Sequence, residues 1–551
     1  MFGRTSLRTS ALGLVFLSYL SVSACAFASQ QSSSADQRPR RVGNAASGSA
    51  TITVKAKDNF QKALDAAQPG DTLVLEAGAV YVGEFVLPRK DGDAFITIQS
   101  SKLDQLPGAG VRVSPSHAPL MPKLVAPGNG AKALSAQPGA HHYRFVGVEF
   151  APIDERADVR NILWLGENET QTDLSKVPHH LEFDRCYIHG YPDSQQVRAV
   201  ALNSAATDIT NSYISDIHKA GADTQAICGW SGPGPYKIIN NYLEAAGENV
   251  MFGGSDNFIP GLNPSDIEIR RNYFRKPAEW EASGRWTVKN LIEFKAGKRV
   301  MIEGNVFENN WAGGQTGYAL SFGPRNQDGR SPWVEVSDVT FQNNVVRNTT
   351  NLVSILGSDY NFPSQPVKNL TIRNNLLDGG TRGGGTAFQV TLMKGGPQNL
   401  VVEHNTFIHT SHLFYFGGTP PATGFVFRDN ISTGFTMGGD GGPGWGQPTI
   451  DWAFPGNVWS GNVAVATFPP ESAMWFAEHY PKSGLVQSIG AIGFTDVAGK
   501  NYKLAASSRF KGKATDKRDV GCDFNQLEAA INGVTSPAST ATPPTPQSAT
   551  R

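Results

Sequence analysis

A chain of 551 residues with 40% hydrophobic content can bury a large core, and at roughly 150 residues per domain it would divide into three or four units. Its 48 basic and 48 acidic residues cancel, which leaves neither the basic footprint of a nucleic-acid binder nor the acidic excess of a disordered chain. The 59 Gly and 34 Pro call for many turns, and the 4 Cys have neither a disulfide framework nor a metal-ligand spacing.

In chain order, Arg4 and Arg8 precede an apolar run from Ala11 to Val22, about half of what a bilayer span requires. Small residues follow, so residues 1–28 are expected to be an export signal. Ala26-Phe27-Ala28 fits cleavage of a secreted or periplasmic protein, whereas Val22-Ser23-Ala24-Cys25 resembles a bacterial lipoprotein box that would acylate Cys25. An extracytoplasmic location is expected either way, with membrane association only through an acylated Cys25. No later apolar run has spanning length, and a soluble monomeric body is expected. Residues 29–50 read as a flexible leader.

From Asn59 the spacing of Phe60, Leu64 and Ala67 predicts a short helix, broken by Pro69-Gly70-Asp71 before alternating strands begin. Further on, one phrase recurs: a short strand, an Asn at a bend, a second short strand. It is cleanest at Val300 to Phe307 (VMIEGNVF), and its bend residues are Asn241, Asn272, Asn305, Asn344, Asn375, Asn405 and Asn430, spaced about 25 to 39 residues apart. Earlier, drifted copies lie at Phe145 to Phe150, Leu181 to Ile188 and Ile209 to Ile214. Such a period overrides the length prior and predicts one solenoid, each coil supported by its neighbours. The helix followed by PGDTLVLEAGAVY resembles the N-terminal cap and first coil of right-handed parallel β-helix proteins of the pectate-lyase type, a likeness that extends to about Val465. It implies an all-β right-handed parallel β-helix solenoid with an N-terminal capping helix, three strands per coil, and Asn side chains stacked at one bend. The β-helix with its closing segment is expected over residues 51–533, and the Ser/Thr/Pro-rich residues 534–551 are expected to be disordered.

The strand before each Asn unit is expected to carry the exposed chemistry. Alternation turns Ile292 and Phe294 inward and Glu293 and Lys295 outward, roughly 7 Å apart. One coil on, Ser321 and Gly323 face outward and Arg325 falls just past the strand, near Lys295. Glu248, Asn249 and Asp256 are expected beside the same groove, with Gly253 and Gly254 leaving room. Trp164, Trp230, Phe414 and Phe416 are expected to face outward and stack on sugar rings. Acids beside Lys and Arg suit β-elimination of a uronic-acid polysaccharide: Lys295 the base held deprotonated by cationic neighbours, Arg325 the carboxylate clamp or partner acid, and Glu248, Glu293 and Asp256 ligands for Ca2+. The set is similar to the family of chondroitinase B and alginate lyases, although the usual Lys-Ser is Lys295-Ala296 here and Arg325 follows a Gly-Pro step. A plain Glu293–Lys295 surface pair is the alternative. The histidines show no convincing metal spacing.

A non-catalytic glycan-binding or adhesive β-helix is the rival reading. A glycoside hydrolase is a further one, weakened because the Asn-Thr-Asp, Asp-Asp and Gly-His-Gly motifs of polygalacturonases are absent from the sequence.

Overall fold

The computed structural model describes residues 41, 42 and 49–536, apart from 380, 381, 383, 384, 394, 395, 420 and 467–471. The expected export signal, most of the leader and most of the tail lie outside the described residues. Among these residues the strands form three long sheets of 15, 14 and 12 strands, each successive strand of a sheet coming from the next coil. The pairing is parallel throughout all three, except where Arg41–Val42 joins Thr51–Val54 antiparallel. That strand draws two residues of the expected leader into the first sheet. The chain is thus a right-handed parallel β-helix. No helix of the described residues is long and apolar enough to cross a membrane.

One coil shows how sequence becomes geometry. Gly297–Glu303 lies in the first sheet, Val306–Asn310 in the second and Tyr318–Phe322 in the third. Alternation sends Val300, Ile302, Phe307, Leu320 and Phe322 into the interior. Between the first two strands, Gly304 takes a left-handed conformation (φ 66°) and turns Asn305 inward. Arg271, Asn343, Asn374, His404 and Asp429 hold the same conformation before their own ladder Asn.

The ladder is continuous. Asn305 Oδ1 accepts from the backbone N–H of Asn272 at 2.8 Å and from its Nδ2 at 3.1 Å, while the Asn305 amide donates to Asn344 Oδ1 at 2.9 Å. It extends beyond the seven asparagines read from the sequence. Asn430 donates to Asn462, and upstream Ser212 takes the Asn position, its Oγ accepting from the Cys186 amide at 3.0 Å. Inside, phenylalanines stack in register, as at Phe252, Phe294 and Phe322. Cys186, Cys228 and Cys522 are buried free thiols.

The helix Phe60–Ala66 is capped by the Asn59 side chain and packs Phe60 against Tyr81 and Phe85. At the other end a helix the sequence did not announce, Gln447–Ala453, brings Ile450, Ala453 and Phe454 into the core, with Phe454 stacked on Phe425. Ala473–His479 is a further short helix. Residues 521–536 run back along the Asn corner. The helix Phe524–Ile531 buries Leu527 with Val306 and Val345, Asn374 receives the Asp523 amide, and Arg271 donates to the carbonyls of Ala530 and Asn532. Arg112 ends this strap by donating to the carbonyls of Asn241, Val534 and Ser536. Val534 is fully buried, so the packed chain passes the boundary expected at 533.

Candidate active site

The outer face of the third sheet is one in-register column. It runs Trp164, Ala201, Cys228, Met251, Glu293, Ser321, Ser354, Gln389 and Tyr415, one residue per coil. Its upper part is apolar, with Trp164, Ala201, Cys228, Trp230 and Met251 in one cluster. It turns polar at Glu293, where a cleft of about 210 Å³ opens.

Glu293, Lys295 and Arg325 line that cleft together with Asp359 and Tyr360. Two coils supply the cations as expected. The Arg325 amide donates to the Lys295 carbonyl at 2.9 Å, which fixes the loop after one strand onto the end of the strand before. The guanidinium lies over the Tyr360 ring at 4.3 Å and 3.5 Å from Asp359 Oδ1. Lys295 Nζ stands 3.3 Å from Glu293 Oε2 and 3.5 Å from Met251 Sδ. Gly253 makes this possible. At φ 90° its backbone passes so close that a Cβ would meet the Ala296 nitrogen at 2.7 Å and the Lys295 carbonyl carbon at 2.8 Å.

The electrostatics oppose the deprotonated state expected for Lys295. Burial alone would lower its pKa, but Glu293, Glu248 and Asp223 more than offset that and hold it above the ordinary lysine value. Its neighbours are carboxylates, not cations, and it is an ammonium at neutral pH. Glu248 is raised to about 7, first by burial and then by repulsion from Glu293. Of the cleft carboxylates, Asp359 is committed to the amides of Asn326 and Asn361. Glu293 is not committed in this way: its Oε1 receives only a long 3.4 Å bond from Ser321.

Several expected site residues serve the frame instead. Asp256 accepts the amides of Gln327, Asp328 and Arg330 at 2.7–3.0 Å, so it builds the loop that carries Gln327 to the cleft wall. Asn249 donates to the carbonyls of Leu243 and Arg275, and its Oδ1 accepts from Nζ of the buried Lys276; it offers nothing to a sugar. Glu248 is fully buried, accepting from Gln225 Nε2 at 2.7 Å with Lys289 at 3.6 Å. Glu248, Glu293 and Asp256 do not form one group of three converging donors among the described residues, and the Lys295 ammonium stands beside Glu293. Phe414 and Phe416 point into the core, Phe414 stacked on Phe388 at 4.8 Å. The register there is one residue off the expectation, and Tyr415 faces outward. Trp230 is buried beneath Arg198, which lies 4.9 Å above its ring, whereas Trp164 stays half-buried beside it.

Asp359, Tyr360 and Gln315 were missed by sequence reasoning. A signal existed for the first two: Ser321 pairs with Ser354, and counting on in register sets Asp359 beside the loop that comes after Arg325.

No protein-family model matches the sequence, and no curated protein matches it. Among solved structures, the chain is similar to pectate lyase Pel9A (12% identity, TM-score 0.36, covering 86% of this chain and 95% of that one). It is similar to the PL6 family alginate lyase AlyGC (12% identity, TM-score 0.44), matched over 90% of this chain and 59% of that one. It also resembles the A-module of the Azotobacter vinelandii mannuronan C-5 epimerase AlgE6 (12% identity, TM-score 0.31), over 74% of this chain and 93% of that one. At these identities the likeness concerns the fold alone.

Proposed function

We propose that this is an exported polysaccharide-active protein that binds a uronic-acid polymer along the outer face of the third sheet and cleaves it by β-elimination in the Lys295–Arg325 cleft. One observation carries the reading: a Lys and an Arg from successive coils line one open polar cleft with Glu293, a carboxylate paired with Lys295 and held by no backbone amide. Arg325 neutralises the uronate carboxylate, which acidifies the adjacent C–H. Glu293 takes that proton; the electron pair left behind becomes the double bond as the glycosidic C–O bond breaks. The Lys295 ammonium protonates the departing oxygen. Trp164 offers an apolar ring surface farther along the column.

A non-catalytic glycan-binding role is the second reading. It is favoured by the partners the cleft groups already have, Lys295 with Glu293 and Arg325 with Asp359. Purified protein incubated with pectate, alginate and glycosaminoglycans is expected to raise absorbance in the unsaturated-uronate band. Glu293→Gln, Lys295→Ala and Arg325→Ala should each lose about 100-fold or more of that rate. No rise on any polymer, with retention by an anionic polysaccharide that Arg325→Ala abolishes, would replace the lyase with the binding protein.

A further inference from the structure

Two His-His dipeptides lie one coil apart at the start of the first sheet, in His141–Val146 and His179–Asp184. Their register is direct, His141 against His179. His141 stacks on His179 at 4.6 Å and 4°, and His142 on His180 at 4.5 Å and 9°. Within each dipeptide the two Nδ1 atoms stand 2.7 Å apart. A contact of that length is a hydrogen bond in which one of the two ring nitrogens accepts. Ring nitrogens of His141, His142 and His179 all lie within 4.8 Å of one another.

We propose that His141, His142 and His179, with His180 beside them, bind one divalent transition-metal cation of the Zn2+, Co2+, Ni2+ or Cu2+ class.

The backbone supplies an independent argument. His142 and His180 both hold a left-handed conformation, at φ 59° and 53°, which costs a non-glycine residue energy. In later coils the same register position carries Ala206, Asp266, Arg299, Asp338, Asn369 and Asn399, also left-handed. There Asn399 donates to Asn369, Asn369 to Asp338 and Arg299 to Asp266, while Ala206 holds the turn with no polar side chain at all. The turn does not need imidazole, yet two successive coils place it there twice, with a second imidazole beside each.

The chemistry of the donors selects the cation. The three converging residues are all imidazoles, which suit Zn2+ and its neighbours, while Ca2+ and Mg2+ require oxygens. Asp93 stands near His142 and His179 as counter-charge, and Glu182 near His142. Tetrahedral ligation at about 2.0–2.1 Å sets N···N near ~3.3 Å, so each 2.7 Å pair opens slightly while the stacked rings turn toward each other. The cation would staple two coils through the first sheet, whereas the cleft follows the third sheet; the two sites are separate.

The test uses tag-free, chelator-treated full-length protein titrated with Co2+, whose visible absorption reports four-coordinate nitrogen ligation, followed by displacement with Zn2+ in a calorimeter. One equivalent per chain is expected, with His141→Ala and His179→Ala each weakening it about 100-fold or more. His142→Asn, a residue later coils hold at this turn, keeps the backbone while removing a ligand and should also weaken binding. His404→Ala, at the separate His404–Asp429–Asp516 group, should leave it unchanged. No uptake at 100-fold molar excess of Co2+, or uptake that survives His141→Ala, His179→Ala and His142→Asn alike, overturns the proposal.

Discussion

At the scale of single residues, the ladder amide of Asn305 tests the frame and the ammonium of Lys295 tests the proposed chemistry. Replacing Asn305 by Ala removes the acceptor of the buried Asn272 backbone amide, and each buried group left unpaired costs about 1–3 kcal/mol. Asn305→Ser should cost less than Asn305→Ala, because Ser212 already serves the Cys186 amide at this position. Denaturant unfolding of the two variants checks the order. For Lys295 the sign of the pKa shift makes the pH test. Its value is raised, so the ammonium persists across the neutral and mildly alkaline range and is lost only above the ordinary lysine value. If Lys295 is the acid, elimination holds through that range and falls at the alkaline end; if it were the base, the rate would climb about tenfold per pH unit instead. Glu248→Gln removes one of the carboxylates that hold the proton, and should move the alkaline limb to lower pH.

At the scale of elements, the site is made by the loops leaving the third-sheet strands as much as by the strands themselves. Ile292–Phe294 points Glu293 outward by alternation, and that much was legible from the spacing of Ile292 and Phe294. The convergence of Lys295 with Arg325 was also legible, since register carries one strand end onto the next. Asp256 and Asn249 were not, because a carboxylate that caps a loop and one that binds a ligand have the same residue type; only the amides of Gln327, Asp328 and Arg330 tell them apart. Phe414 failed for a different reason. FYF alternates with aromatics on both faces, so the pattern gives no register, and packing against Phe388 chooses it. Gly253→Ala tests the close approach of two coils. Its Cβ has no room beside Ala296 and Lys295, and the positive φ disfavours any side chain. Activity or glycan binding should fall by more than any loss of thermal stability would explain, as seen by rate or retention against the melting curve.

For the whole molecule, stability is a sum over neighbouring coils, and the C-terminal strap ties several of them together from outside. Arg112, buried and donating to Asn241, Val534 and Ser536, joins an early loop to the last described residues. Arg112→Ala should leave the β-helix folded but speed proteolysis near the C-terminus, with mass spectrometry locating the first cuts beyond Val520; cleavage unchanged from the parent would show that Leu527 and Arg271 hold the strap without it.

The sequence by itself determined the solenoid, because a β-helix coil repeats its demands. One left-handed turn residue and alternating apolar strands recur from coil to coil, with a buried Asn at the bend from Asn241 to Asn462, and recurrence is visible without coordinates. It also determined which strand faces outward at Lys295. Only the tertiary structure decided the charge state of Lys295, the structural duty of Asp256 and Asn249, the course of residues 521–536 and the meeting of His141 and His142 with His179. Each depends on side chains from different coils arriving within a few ångströms, and a one-dimensional pattern carries no record of such distances.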